Sequence, residues 1–162
     1  MKKAISLFIT VVSFVCLLNS VPLSVNASEN SPQTIIEMLD NGYYFETIIE
    51  NEETPTITGT RATTQYVTKT KTTQYKNSAG TVLWSVSIKA TFSYDGTTSK
   101  CTSCTPSASS SDSSWTINSV TSSKSGSSAT ATAVVTYTAP SGATQSYTKS
   151  VTIKCSATGT VS

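Results

Sequence analysis

Val82, Trp84, Val86, Ile88, Ala90, Phe92 and Tyr94 alternate with Leu83, Ser85, Ser87, Lys89, Thr91 and Ser93. A period of two held over so many positions belongs to a strand with one buried face and one wetted face, as in antiparallel sheets. NSAG at 77–80 predicts a turn back onto a Thr-rich partner strand, 65–76, and Asp95-Gly96 predicts the next turn. Further on, 115–123 and 129–138 read as a pair joined by KSGSS, with Ala129, Ala131, Ala133, Val135 and Tyr137 on one face. PSGA at 140–143 leads into 144–157, where Tyr147, Val151, Ile153 and Cys155 share a face interrupted by Lys149. Five to seven short strands with polar turns predict an all-β chain, a small antiparallel β-sandwich. Cys101, Trp115 and Cys155 succeed one another in the order of an immunoglobulin domain, so the expected architecture is immunoglobulin-like.

The N-terminal part reads differently. Lys2 and Lys3 precede an apolar run, 4–18, and Val25-Asn26-Ala27 supplies small residues before Ser28. That pattern predicts a signal peptide, 1–27, cleaved between Ala27 and Ser28. The run is shorter than the ~20 residues of a membrane span, so no stable membrane insertion is expected after its removal. The expected localisation is secreted, extracellular or attached to the cell surface. Within 28–60, SPQTIIEMLDNG predicts a short helix, with Ser31 as cap, Pro32 at the first position and Gly42 at the exit. YYFETIIEN predicts a strand, and NEETPTITGTR reads as a linker that ends at Arg61. A helix this short is marginal alone, so 28–60 either docks on the β domain or stays without fixed structure. Residues 61–162 form the expected β-sandwich domain.

Charge sharpens the division. Residues 28–60 hold seven acids and no base, whereas 61–162 hold nine bases against two acids, Asp95 and Asp112. The acidic segment is either a permanent arm or a pro-segment released by cleavage after Arg61. The two halves nearly cancel, and the lysines are spread over several segments, so no nucleic-acid partner is expected.

Candidate chemistry is sparse. The chain has no histidine, which removes Ser-His-Asp and Cys-His catalysis and most zinc hydrolase sites. Asp95 and Asp112 lie in separate turns, and no phosphate loop or dinucleotide fingerprint occurs. The expectation is a protein that is not an enzyme and needs no cofactor or metal. The mature chain keeps Cys101, Cys104 and Cys155, an odd number, so at most one intrachain bridge can form. KCTSC lacks the helix that activates a redox dithiol, and three cysteines lack a fourth zinc ligand. A structural disulfide is the remaining reading for an exported domain. A Cys101–Cys155 bridge closes a loop of roughly 55 residues, worth on the order of 4 kcal/mol, against roughly 2 kcal/mol for a bridge within C-x-x-C. The expected bridge is therefore Cys101–Cys155, with Cys104–Cys155 as second choice and Cys104 otherwise an exposed free thiol.

NSAGTVLWSVSIKATFSYDG, then DSSWTINSVTSSKSG and SVTIKCSATGTVS, with NGYYFETIIE ahead of a TRA junction, resembles a group of small uncharacterised secreted proteins of Gram-positive gut bacteria, mostly Firmicutes. The resemblance covers nearly all of the chain after the signal segment. It implies export, the β fold, and cysteines matching Cys101 and Cys155, with Cys104 as a departure. It implies no activity, cofactor or catalytic residue.

The expected function is a non-catalytic extracellular binding or adhesion module. Its partner would be a glycan or a cell-surface protein, held by tyrosines among Tyr66, Tyr75, Tyr94, Tyr137 and Tyr147. The alternatives are a bacteriocin-like or toxin-like effector freed after Arg61, or a structural matrix protein.

Overall fold

The computed structural model describes residues 32–51 and 64–162. The signal segment, its cleavage point at Ala27–Ser28, Ser31 and Arg61 lie outside the described residues. Eight strands occur among those described: β1 (Gln33–Met38), β2 (Tyr44–Asn51), β3 (Gln65–Lys76), β4 (Val82–Tyr94), β5 (Ser99–Ser110), β6 (Trp115–Ser125), β7 (Ser128–Thr138) and β8 (Thr144–Lys154). They make two antiparallel sheets, one ordered β1-β2-β3-β4-β5 and one ordered β6-β7-β8. The all-β expectation holds, and the two sheets stack as in a β-sandwich. Each strand lies beside its sequence neighbours, so both sheets are simple meanders. The Greek-key order of an immunoglobulin domain is not what these strands adopt.

One expectation changes. The helix over 31–42 is replaced by β1 and a turn. Thr34, Ile35 and Ile36 pair with Ile48, Thr47 and Glu46, and the turn Leu39–Tyr43 closes the hairpin. β-branched residues fit a pleated strand better than a lone helical turn. The boundary placed at residue 61 separates two neighbours of one sheet, because β2 pairs with β3 from Tyr44↔Lys76 to Asn51↔Lys69. The described part of the acidic segment is thus docked. Its charges meet the basic half directly, Glu46 with Lys76, and Glu37 with Lys149 at 3.1 Å. SKCTSCTPSASS, for which the sequence predicted no element, is a strand, β5. Pro106 fits there because β5 is a sheet edge, where a missing N–H breaks no ladder.

One turn recurs. In Leu39–Tyr43, Asn77–Thr81, Ala139–Ala143 and Ser156–Thr160 the first N–H donates to the fifth carbonyl, and the fourth residue's N–H donates back to the first carbonyl. That fourth residue is always glycine with φ between +79° and +88°. This is the three-residue hairpin loop whose last position needs the left-handed region. At Gly159 space is also limiting, since a Cβ there would lie 2.5 Å from the Tyr94 ring.

The core lies between β3–β5 and β6–β8. On β4 the inward residues Trp84, Val86, Ile88, Ala90 and Phe92 are all at most 2% exposed. The facing β7 supplies Ala129, Ala131, Ala133 and Val135, all buried. Cα atoms of β4 and β7 come within 8 Å, closer than the ~10 Å usual for stacked sheets. Alanines permit that approach. No strand of the smaller sheet brings a Cα within 8 Å of β1 or β2, which therefore overhang. Ile35, Ile36 and Met38 on β1 are more than half exposed.

Candidate functional site: an aromatic end

Strand register gathers the large rings at one end of the sandwich. Phe45, Tyr75 and Trp84 stand side by side across β2, β3 and β4. Trp115 and Tyr137 pair across β6 and β7, and Tyr147 lies on β8. Trp115 joins the two sheets: its ring lies 5.2 Å from Tyr75, 6.1 Å from Trp84, 5.0 Å from Tyr137 and 5.5 Å from Tyr147. Tyr43, in the β1–β2 turn, stacks on Tyr75 at 5.6 Å and 13° between planes. Centroid separations in this range are those at which aromatic pairs attract.

Burial is graded through the cluster. Trp84 is 2% exposed and Tyr75 9%, while Trp115 and Tyr137 are half-buried and Tyr147 is 39% exposed. The buried rings fix the positions of those that reach solvent. Burial pushes the Tyr75 hydroxyl above its ordinary pKa, opposed by a hydrogen bond with Asn41. Among the described residues Trp84 Nε1 is buried without a hydrogen-bond partner. An unmade bond of that kind costs about 1–3 kcal/mol. At the flank, Lys149 Nζ sits 3.6 Å from the centroid of the Phe45 ring and also pairs with Glu37. A cation over an aromatic face adds attraction and fixes the β8 side chain against the overhang.

Such an end presents ring faces, hydroxyls and the Lys149 cation. Apolar C–H faces of a ligand can stack on rings whose faces carry negative quadrupole charge. Proton transfer by paired carboxylates has no support here. Asp95 lies in the β4–β5 turn, where the N–H groups of Thr98 and Thr97 hold its carboxyl below the ordinary range. Asp112 lies beyond β5 at the aromatic end, with Asp95 at the opposite end of the sandwich; its carboxylate accepts from Ser114 N–H and its carbonyl from Trp115 N–H. Among the described residues no group of three or more Cys, Asp or Glu is placed to hold a metal.

The tyrosines named from the sequence divide. Tyr75, Tyr137 and Tyr147 belong to the aromatic end. Tyr66 is exposed near the opposite end of β3, and Tyr94 stands against Gly159. Sequence reading passed over Tyr43, Phe45, Trp84 and Trp115 as site residues. Their signal was positional, since each lies at or beside the end of its strand next to a turn: Tyr43 and Phe45 after LDNG, Trp84 after NSAGT, and Trp115 after SDSS.

The cysteines lie at the other end. Cys101, Cys104 and Cys155 are all free thiols, so the expected Cys101–Cys155 bridge is not present. Cys101 and Cys155 are buried and Cys104 is half-buried, where exposure had been expected. Trp115 does not pack on them as in an immunoglobulin core, because it sits against Trp84 while Cys101 pairs with Phe92, eight residues along β4. Comparison of the chain with family models, curated proteins and solved structures finds no match.

Proposed function

We propose that the chain is an exported, non-catalytic binding module that holds a glycan on its aromatic end. The observation that carries this reading is the gradient from buried Trp84 and Tyr75 through Trp115 to exposed Tyr147. A merely structural cluster needs no rings reaching water, whereas a stacking platform needs outer rings held in place by inner ones. The effector reading fares worse. Cleavage after Arg61 would leave β2 hydrogen-bonded to β3 along its whole length. Freeing the basic part would then require tearing out Phe45 and the 5%-exposed Ile49.

The test is a glycan or cell-wall polysaccharide array probed with the exported protein and with Tyr147→Ala. Loss of the contact with Trp115 is expected to cost about 1 kcal/mol and to leave the fold intact. Binding is expected to fall at least tenfold. No binding by the native protein to any glycan, or equal binding by the variant, would reject the reading.

A further inference from the structure

Cys101 and Cys104 are three residues apart, and in a regular strand such positions point to opposite faces about 10 Å apart. β5 is not regular here. Thr91 pairs with Ser103 and Phe92 with Cys101, so Thr102 is an extra residue in a β-bulge. Burial records the same slip: Thr102 and Ser103 are both exposed, while Cys101 is buried and Cys104 half-buried. Cys104 pairs with Ala90 and Cys101 with Phe92, two neighbours on the inward face of β4. Positions two apart on a strand are about 6.8 Å apart, near the upper end of the Cα separations that disulfides span. The bulge thus turns a pair that could not bridge into one that can.

Surroundings agree. The Cys101 Sγ–H donates to the carbonyl of Ser103, the residue beside Cys104, at 3.3 Å, whereas the Cys155 Sγ–H donates to the Ser156 carbonyl at 3.3 Å. Burial first, and then the neighbouring Cys104, push the Cys101 thiol up. Backbone bonds tie both buried cysteines to the β6–β7 turn, Cys101 N–H on the Gly126 carbonyl and Cys155 N–H on the Ser127 carbonyl. An open pocket of about 450 Å³ adjoins Cys101, bordered by Lys100, Thr102, Lys124 and Gly126.

We propose that Cys101 and Cys104 are the oxidisable pair of this protein, forming a disulfide within β5 across the bulge and leaving Cys155 as the odd, buried thiol. The oxidant is a low-molecular-weight disulfide. The Cys104 thiolate attacks one of its sulfurs and forms a mixed disulfide, expelling one thiolate. The Cys101 thiolate then attacks the Cys104 sulfur and expels the second. The two protons lost by the cysteines end on the two thiols released. Cys104 reacts first because it is the more accessible of the two.

The chain's lysines make the test direct. Trypsin cuts after Lys100, Lys124 and Lys154, so Cys101 and Cys104 share the peptide 101–124 while Cys155 falls in 155–162. The folded protein is treated with oxidised glutathione, denatured, alkylated and digested without reductant. The expected result is peptide 101–124 lighter by two hydrogens and unalkylated, with 155–162 alkylated. Cys155→Ala should keep that mass loss and Cys104→Ser should abolish it. Peptide 101–124 joined to 155–162, or carrying two alkyl groups, overturns the proposal.

Discussion

β3 and β4 are neighbours in one sheet, paired over nearly their whole length, yet their inward faces differ. β4 turns in Trp84, Val86, Ile88, Ala90 and Phe92, all essentially dry. The residues opposite them on β3 are Tyr75, Thr73, Lys71, Lys69 and Val67, polar through the middle. The difference comes from the cover each strand receives. β4 is covered by β7 and its alanines, whereas of the smaller sheet only the edge strand β8 brings its backbone close to β3. A position one strand from the centre of this small sandwich is already at its shore. There a hydroxyl or an amine can stay if it finds a partner or water.

The largest effect should come from the covered strand. Ile88→Ala is expected to cost about 2–5 kcal/mol, because the side chain is fully buried and the space is not refilled. Urea unfolding measures it, and a loss below about 1 kcal/mol would break the contrast with β3. Next comes Thr73, 3% exposed, whose hydroxyl meets that of Thr47 at 2.9 Å. Thr73→Val should cost about 1 kcal/mol, and adding Thr47→Val should recover part of it, since removing both partners leaves no donor stranded. A double variant worse than the single would show that Thr73 is held by something other than this bond.

The smallest effect has the opposite sign. Lys71, half-buried opposite Ile88, has its amine held below the ordinary 10.5, first by burial and then by Lys154. The unfolded chain therefore binds this proton more tightly. The folded state gains as pH rises from the folded value towards 10.5, keeps the gain above it, and loses it as pH falls back through the folded value. Lys71→Met should thus raise the melting temperature slightly at neutral pH, and its advantage should shrink as pH approaches 10.5. A pH-independent difference would mean that methionine simply packs better.

The same contrast explains what the sequence could show. On β4 each inward position is covered, so apolar periodicity survives and the strand was legible to the residue. On β3, Lys69, Lys71 and Thr73 obscure the period, and only the turn NSAG revealed the strand. β5 was hidden for another reason, because the extra Thr102 shifts the alternation and Pro106 reads as a breaker without knowledge that the strand is an edge. LDNG carried the same glycine-closed turn as NSAG and PSGA, but Ser31, Pro32 and Gly42, read as the cap, first position and exit of a helix, won the reading. The three cysteines are free thiols, and loop entropy, which says what a bridge would be worth, does not say which sulfurs can meet. Of the candidate site, the tyrosines on strands were visible, but their gathering at one end depends on register between strands far apart in sequence.

Three of the four glycine-closed turns, at 39–43, 77–81 and 139–143, stand at the aromatic end. Each closes its backbone hydrogen bonds within five residues, and the loops 78–80 and 140–142 carry none of the rings. Such loops are interchangeable parts. Exchanging or lengthening one alters the rim around the rings without disturbing the strands that hold them. The aromatic end is in that sense a chassis with three replaceable fittings, open to retuning by selection or by design one loop at a time.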